Sequence, residues 1–231
     1  MCIRDRDSHN YPTMGDVTRE KLIQVILDAQ LPDGGWNLSG ENADPDMTAM
    51  AIQALAPYYK TNETVKAAVD KALEALSALQ RTDGGFGSWG TVNSESCAQV
   101  IVALTALGID PIADSRFVKN GLTVLDALSS FYVTGGGFRH LMADKTVDGM
   151  ATEQGYYALA AYYRLLAQKT SLYDMSDVTV TVTPDQPVTP AKPEKPDTPR
   201  TGDESLLVLW MGAAALSGAA VLLMQRKKKR A

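Results

Sequence analysis

The side chains best suited to chemistry sit just before or at the start of apolar helical runs. Asp44 and Asp46 precede one such run, Glu95 opens a second, and Glu153 and Gln154 open a third with Tyr156 one turn further on. Carboxylates in these places have a simple structural use. They accept bonds from unpaired backbone N–H groups and complement the positive end of the helix dipole. Gathered around one cavity, the same groups could instead bind a ligand, with Trp36 and Trp89 in nearby turns as stacking surfaces. Two cysteines, Cys2 and Cys97, make no disulfide framework.

The elements that position these residues repeat. Gln30-Leu31-Pro32-Asp33-Gly34-Gly35-Trp36, Gln80-Arg81-Thr82-Asp83-Gly84-Gly85-Phe86 and Thr134-Gly135-Gly136-Gly137-Phe138 align, with their aromatics 50 and 52 residues apart. Each is followed by a polar loop and a helical run, over 47–59, 95–107 and 152–165, in which Thr48-Ala49, Cys97-Ala98 and Thr152-Glu153 occupy matching places. A period of about 50 residues points to stacked supersecondary units.

The helices are of two kinds. Val65, Val69, Leu73, Leu76 and Leu79 form one apolar stripe, and the segment from Phe117 to Leu128 and the one containing Leu22, Ile23 and Ile26 behave alike. The segments 97–104 and 49–55 are apolar almost all round, as enveloped helices are. Alternation of the two kinds predicts outer and inner layers. Glycines after Asp33 and Asp83 permit a left-handed turn where an outer helix ends. Trp36 and Phe86 then staple neighbouring helix ends, or with Trp89 and Phe138 line the mouth of the inner layer.

These Gln-x-x-Asp-Gly-Gly-Trp/Phe segments and the two-layer alternation resemble the α/α toroid shared by terpenoid cyclases, protein prenyltransferases and cobalamin carriers, over residues 16–170. The resemblance implies an all-α fold. Complete toroids of that superfamily have more helix pairs than the three legible here, so the expectation is an N-terminally truncated half-toroid. Asp44-Pro45-Asp46-Met47-Thr48-Ala49 is similar to the Asp-x-Asp-Asp-Thr-Ala of class II terpene cyclases, whose central Asp, here Asp46, protonates an alkene or epoxide. Met47 replaces the third carboxylate. Such an acid needs a hydrogen-bonded network in a dry cavity, which the loss of one member undermines.

Asp46-Met47-Thr48-Ala49-Met50-Ala51 is also similar to the Asp-Thr-x-Ala-Met-Ala of cobalamin carriers, where the toroid binds without reaction. Glu95-Ser96-Cys97 imitates the Asp-x-Cys zinc pair of prenyltransferases, but the third run has no His and His140 falls in a loop. Two ligands hold zinc weakly, so neither metal nor other cofactor is expected. Cys97 reads as a small buried apolar residue.

Both ends of the chain carry further signals. Prolines at 184, 187, 190, 193, 196 and 199 keep a period of three, which puts them on one face of a polyproline II rod rising about 3.1 Å per residue. The alternating 178–183 stretch could form a short strand. Thr198-Pro199-Arg200-Thr201-Gly202, the uncharged segment 206–224 and the basic tail 225–231 follow. As a helix, 206–224 would reach roughly 28 Å, enough for a bilayer core, with the basic cluster cytoplasmic. The order resembles the cell-wall sorting signal of Gram-positive surface proteins, Leu-Pro-x-Thr-Gly, with Thr198 for Leu. It implies that sortase joins Thr201 to peptidoglycan after a transient single-pass membrane stage, with 171–203 as wall-spanning linker. At the other end, Met1-Cys2-Ile3-Arg4-Asp5-Arg6 resembles a translated sequencing adaptor. Residues 1–6 are therefore expected to be foreign, with a signal peptide lost upstream.

Without the five terminal basic residues the chain carries 17 basic against 27 acidic residues, a charge of −10. That makes the ectodomain a poor candidate for binding nucleic acid or anionic lipid, and no nucleic-acid partner is expected. The expected function is a wall-anchored surface protein whose toroid binds an extracellular small molecule, cobalamin-like or other, or a protein. The candidate site is Trp36, Asp44, Asp46, Trp89, Glu95, Glu153, Gln154 and Tyr156. A degenerate cyclase using Asp46 and an adhesion or display module are the alternatives.

Overall fold

The computed structural model describes residues 15–174 and 176–179, together with residues 3, 7 and 12. The proline rod, the sorting motif and the apolar segment 206–224 lie outside the described residues. Among the described residues, no helix is long and apolar enough to cross a membrane.

Six α-helices are found among the described residues: α1 (Arg19–Asp28), α2 (Pro45–Leu55), α3 (Glu63–Leu79), α4 (Ser94–Ala106), α5 (Val124–Ser130) and α6 (Gly149–Leu166). Helices α2, α4 and α6 form a row with α4 in the middle, while α3 packs on α2 and α5 on α4. Burial follows the two kinds of sequence pattern. Helix α4 buries residues around its whole circumference, from Ser94 and Ser96 to Leu104 and Thr105. Helix α3 buries Val65, Val69, Ala72, Leu73 and Leu76 while Lys66, Lys71 and Glu74 face solvent.

Local capping explains where the row begins. Asp44, Asn93 and Asp148 are the N-caps of α2, α4 and α6, and each side chain accepts from backbone N–H groups of the first turn. Pro45 occupies the first turn of α2, where its missing N–H costs nothing. Four residues after each cap stands a latch. The Trp36 N–H donates to Thr48 Oγ1 at 2.9 Å, the Phe86 N–H to Cys97 Sγ at 3.4 Å and the Phe138 N–H to Thr152 Oγ1 at 3.0 Å. Cys97 is thus the thiol counterpart of two threonines. Burial pushes that thiol up to about 12, so it is inert toward thiolate chemistry.

The glutamine and aspartate of the repeated turns are used in the same way each time. Gln30 Nε2 donates to Gly34 O and, at 2.8 Å, to Ala68 O of α3. Gln80 Nε2 donates to Gly84 O and Phe117 O at 2.9 Å. Asp33 and Asp83 each accept from the N–H two residues on. Gly84 has φ +81°, and a Cβ there would lie 2.5 Å from Thr123 O. We therefore expect Gly84→Ala to destabilise the domain by at least ~2 kcal/mol, measured by urea unfolding. An unchanged midpoint would show that the turn can relax.

One expected element is different. In place of a single outer helix from Phe117 to Leu128, a 3₁₀ turn (Ser115–Phe117) leads into a hairpin, β1 (Val118–Lys119) with β2 (Leu122–Thr123), before the short α5. Asn120 and Gly121 take φ +52° and +79°, the geometry of a two-residue hairpin turn. A second hairpin, β3 (Tyr132–Val133) with β4 (Gly137–Phe138), carries the third glycine turn. Both ends of the helix row expose large apolar side chains. Val25 and Met50 do so beside α1 and α2, around an apolar cavity of about 400 Å³, and Tyr156, Tyr163 and Leu166 do so on α6.

Candidate functional site

The N-termini of α2 and α4 lie beside each other, and the loops before them wall a cavity of about 320 Å³. Asp44, Asp46, Met47 and Ser88 line it together with Asn37, Leu38 and Trp89. Asp44 does two jobs. Its Oδ1 caps α2, accepting from the Asp46 and Met47 N–H groups at 3.0 Å, and its Oδ2 accepts from the Ser88 hydroxyl across to the next repeat. The cap of α2 is therefore Asp44 and not Asp46.

Asp46 stands inside the first turn, with its Oδ1 enclosed and without a hydrogen-bond partner. Burial pushes its carboxyl up to about 6. The Ser96 hydroxyl works against that shift, while the charges of Asp44 and Glu95 reinforce it. Glu95 holds the corresponding place on α4. Its Oε2 accepts from Ser94 Oγ at 3.0 Å and meets His140 Nδ1 at 2.8 Å.

The pH dependence follows from the Asp46 shift. A carboxyl that titrates near 6 when folded and near 3.8 otherwise holds its proton more tightly in the folded state. Its contribution to stability is therefore complete below about pH 4 and declines as pH rises through 6. The decline amounts to at most about 3 kcal/mol. Asp46→Asn removes it. Denaturation at pH 4.5 and 7.5 should show the variant gaining on the parent at the higher pH, and a difference between variant and parent that is the same at both values would contradict the assignment.

Of the eight residues singled out by sequence, this cavity brings together Asp44, Asp46 and Trp89, with Glu95 close enough to act on Asp46 electrostatically. Trp36 is buried, donates its indole N–H to Ile26 O at 2.6 Å and lines the apolar cavity beside α1 instead. Phe86 and Phe138 are likewise buried, so the aromatic mouth reduces to Trp89. Gln154 belongs to a polar ladder across the row. Gln53 Nε2 donates to Gln99 Oε1 at 3.0 Å, and Gln99 Nε2 donates to Gln154 Oε1 at 3.0 Å and to the Tyr157 hydroxyl. Glu153 and Tyr156 are exposed on α6, with the Tyr156 ring edge-on to Phe138.

Sequence reasoning missed Ser88, and weighed Ser96 and His140 only as neighbours of an imitated zinc pair, not as partners of the carboxylates. Only the repeat register could have pointed to Ser96, two residues after the start of α4. Among the described residues, no three His, Cys, Asp or Glu side chains are grouped to hold a metal ion.

The chain is similar to a terpenoid cyclase. It is 28% identical to the lanosterol synthase erg7A of Aspergillus fumigatus over 176 residues, covering 63% of this chain and 23% of that protein. The chain thus spans about a quarter of the length of this relative. No family model matches it. The likeness is compatible with the helix-rich fold and does not extend to an activity.

Proposed function

We propose that residues 16–170 are helix pairs of an α/α toroid that binds a ligand, without transforming it, where the inner-helix N-termini meet. The row α2–α4–α6 with outer helices beside it supports the toroid, as do the apolar faces left open at both ends of that row. The observation that carries binding is Trp89. It is 92% exposed, non-glycine and left-handed at φ +56°, on the rim of the cavity that holds Asp46. A bulky residue in that backbone region costs stability and gains nothing from packing, which is how residues kept for contact behave. Trp89→Gly should therefore leave the domain as stable as the parent or more stable by ~0.5–1 kcal/mol. A clear loss of stability would make Trp89 a structural residue and remove the carrier of this reading.

The sorting-signal resemblance of Thr198-Pro199-Arg200-Thr201-Gly202 supports a wall-attached, extracellular protein, with sortase and peptidoglycan as partners. A second reading is a degenerate class II cyclase using Asp46 as general acid. The similarity to lanosterol synthase and the half-buried, proton-retaining Asp46 favour it. Against it stand Met47 at the place of the third carboxylate and a cavity whose rim is open to water at Trp89 and Leu38.

A further inference from the structure

We propose that the α6 end of the helix row docks onto the α1–α2 end of a second copy of this chain. The inference goes beyond the ligand-binding reading and needs only the row α2–α4–α6.

The latch residues Thr48, Cys97 and Thr152 set the three inner helices in one register. In that register Ile52 and Leu55 of α2 correspond to Ile101 and Leu104 of α4 and to Tyr156 and Leu159 of α6. The first four are fully buried, whereas Tyr156 and Leu159 are 48% and 37% exposed. The converse holds at the other end. Met47, Ala51 and Ala54 of α2 are only half-buried, while their counterparts Ser96, Val100 and Ala103 of α4 are fully buried. Helix α4, with an inner helix on either side, leaves neither set open. Positions that the interior of the row closes are thus open on one side of α6 and on the opposite side of α2.

The two open faces are the two halves of the joint that the row repeats. Residues 167–231 carry no fourth glycine turn, so no further repeat in this sequence follows α6 to cover it. The complementary face, beside α1 and α2, stands at the far end of the same row. It reaches the α6 end only from another molecule.

Shape and area agree. Tyr163 and Leu166, 64% and 59% exposed, continue the stripe of Tyr156 and Leu159 along α6 and stand out as knobs. The α1–α2 end offers a socket, the apolar cavity of about 400 Å³ with Leu22, Val25 and Met50 in its wall. The four exposed side chains of α6 and a like area opposite them amount to roughly 1,000 Å² per joint, the lower limit for a specific interface. A head-to-tail joint leaves one end of each partner free, so association runs to a closed ring or to a series of oligomers.

The test is sedimentation equilibrium of the full chain in a mild non-ionic detergent, over about a hundredfold range of concentration around the micromolar affinity typical of a small interface. The parent is expected to associate beyond the monomer. Tyr163→Glu at the α6 end and Val25→Glu at the α1–α2 end should each weaken association by about tenfold or more, because each puts a carboxylate into an apolar joint. Both positions are exposed, so urea midpoints should match that of the parent, and Leu166→Glu serves as a second α6 variant. Mixing the two single variants should restore a one-to-one dimer, since one keeps an intact α6 end and the other an intact α1–α2 end. A parent that stays monomeric would overturn the proposal. So would association that survives Tyr163→Glu and Leu166→Glu, which would then belong to another segment. Failure of the mixed variants to pair would show that the joint is not head-to-tail. None of these results bears on Trp89, so the ligand-binding reading keeps its own test.

Discussion

Muramidase digestion of cells producing this protein is expected to release it with a peptidoglycan fragment on Thr201, while detergent alone extracts almost none. The motive is an ordered set of signals: Thr198-Pro199-Arg200-Thr201-Gly202, nineteen uncharged residues from Leu206 to Met224, then Arg226-Lys227-Lys228-Lys229-Arg230. The apolar segment is long enough for a bilayer core, and the basic cluster resists translocation. Together they would hold the Thr201–Gly202 bond at the outer surface, within reach of a transpeptidase. Deleting Thr201 and Gly202 should move the whole pool from the wall fraction to the detergent fraction. Complete extraction of the parent by detergent would show a simple membrane anchor.

The second large effect is on stability, and it separates two aromatics three residues apart. Phe86 is fully buried, and its backbone is latched to Cys97. Phe86→Ala leaves a cavity in the core between the repeated turn and the start of α4, and should cost about 3–5 kcal/mol. That is a large part of the 5–15 kcal/mol available to a typical domain. Equilibrium urea unfolding of the full chain, followed by far-ultraviolet circular dichroism, measures it. A loss under about 1 kcal/mol would mean that the turn is not a staple. The contrast with Trp89, where truncation to glycine is expected to be harmless, is the stability counterpart of the division between packing and binding aromatics.

Much of this architecture is legible in the sequence because it rests on periodicity. The one-sided stripe of Val65, Val69, Leu73 and Leu76 and the all-round apolar run after Ser96 differ for a physical reason: one helix faces water and the other does not. The register Thr48, Cys97, Thr152 is visible as a repeat and recurs as a hydrogen bond. The hairpin at Asn120-Gly121 was also written in the chain, but apolar residues on both sides of it mimic a helical stripe. The division of labour between Asp44 and Asp46 was not legible. Either could cap α2, and only the fold shows that Asp44 takes the backbone donors and leaves Asp46 Oδ1 without one. The meeting of His140 with Glu95 and of Ser88 with Asp44 joins residues more than forty positions apart, for which sequence spacing carries no signal.

The central claim is that the site beside Asp46 binds without chemistry, and product analysis tests it most directly. The full chain and its Asp46→Asn variant are incubated at pH 6 with a linear polyprenyl epoxide, and the extracted lipids are resolved by mass and retention. Proton-initiated cyclisation needs the Asp46 proton, and pH 6 keeps about half of it in place. The account predicts that the epoxide is recovered uncyclised from both proteins. Cyclised product formed by the parent and lost in Asp46→Asn would contradict it and make this chain an enzyme.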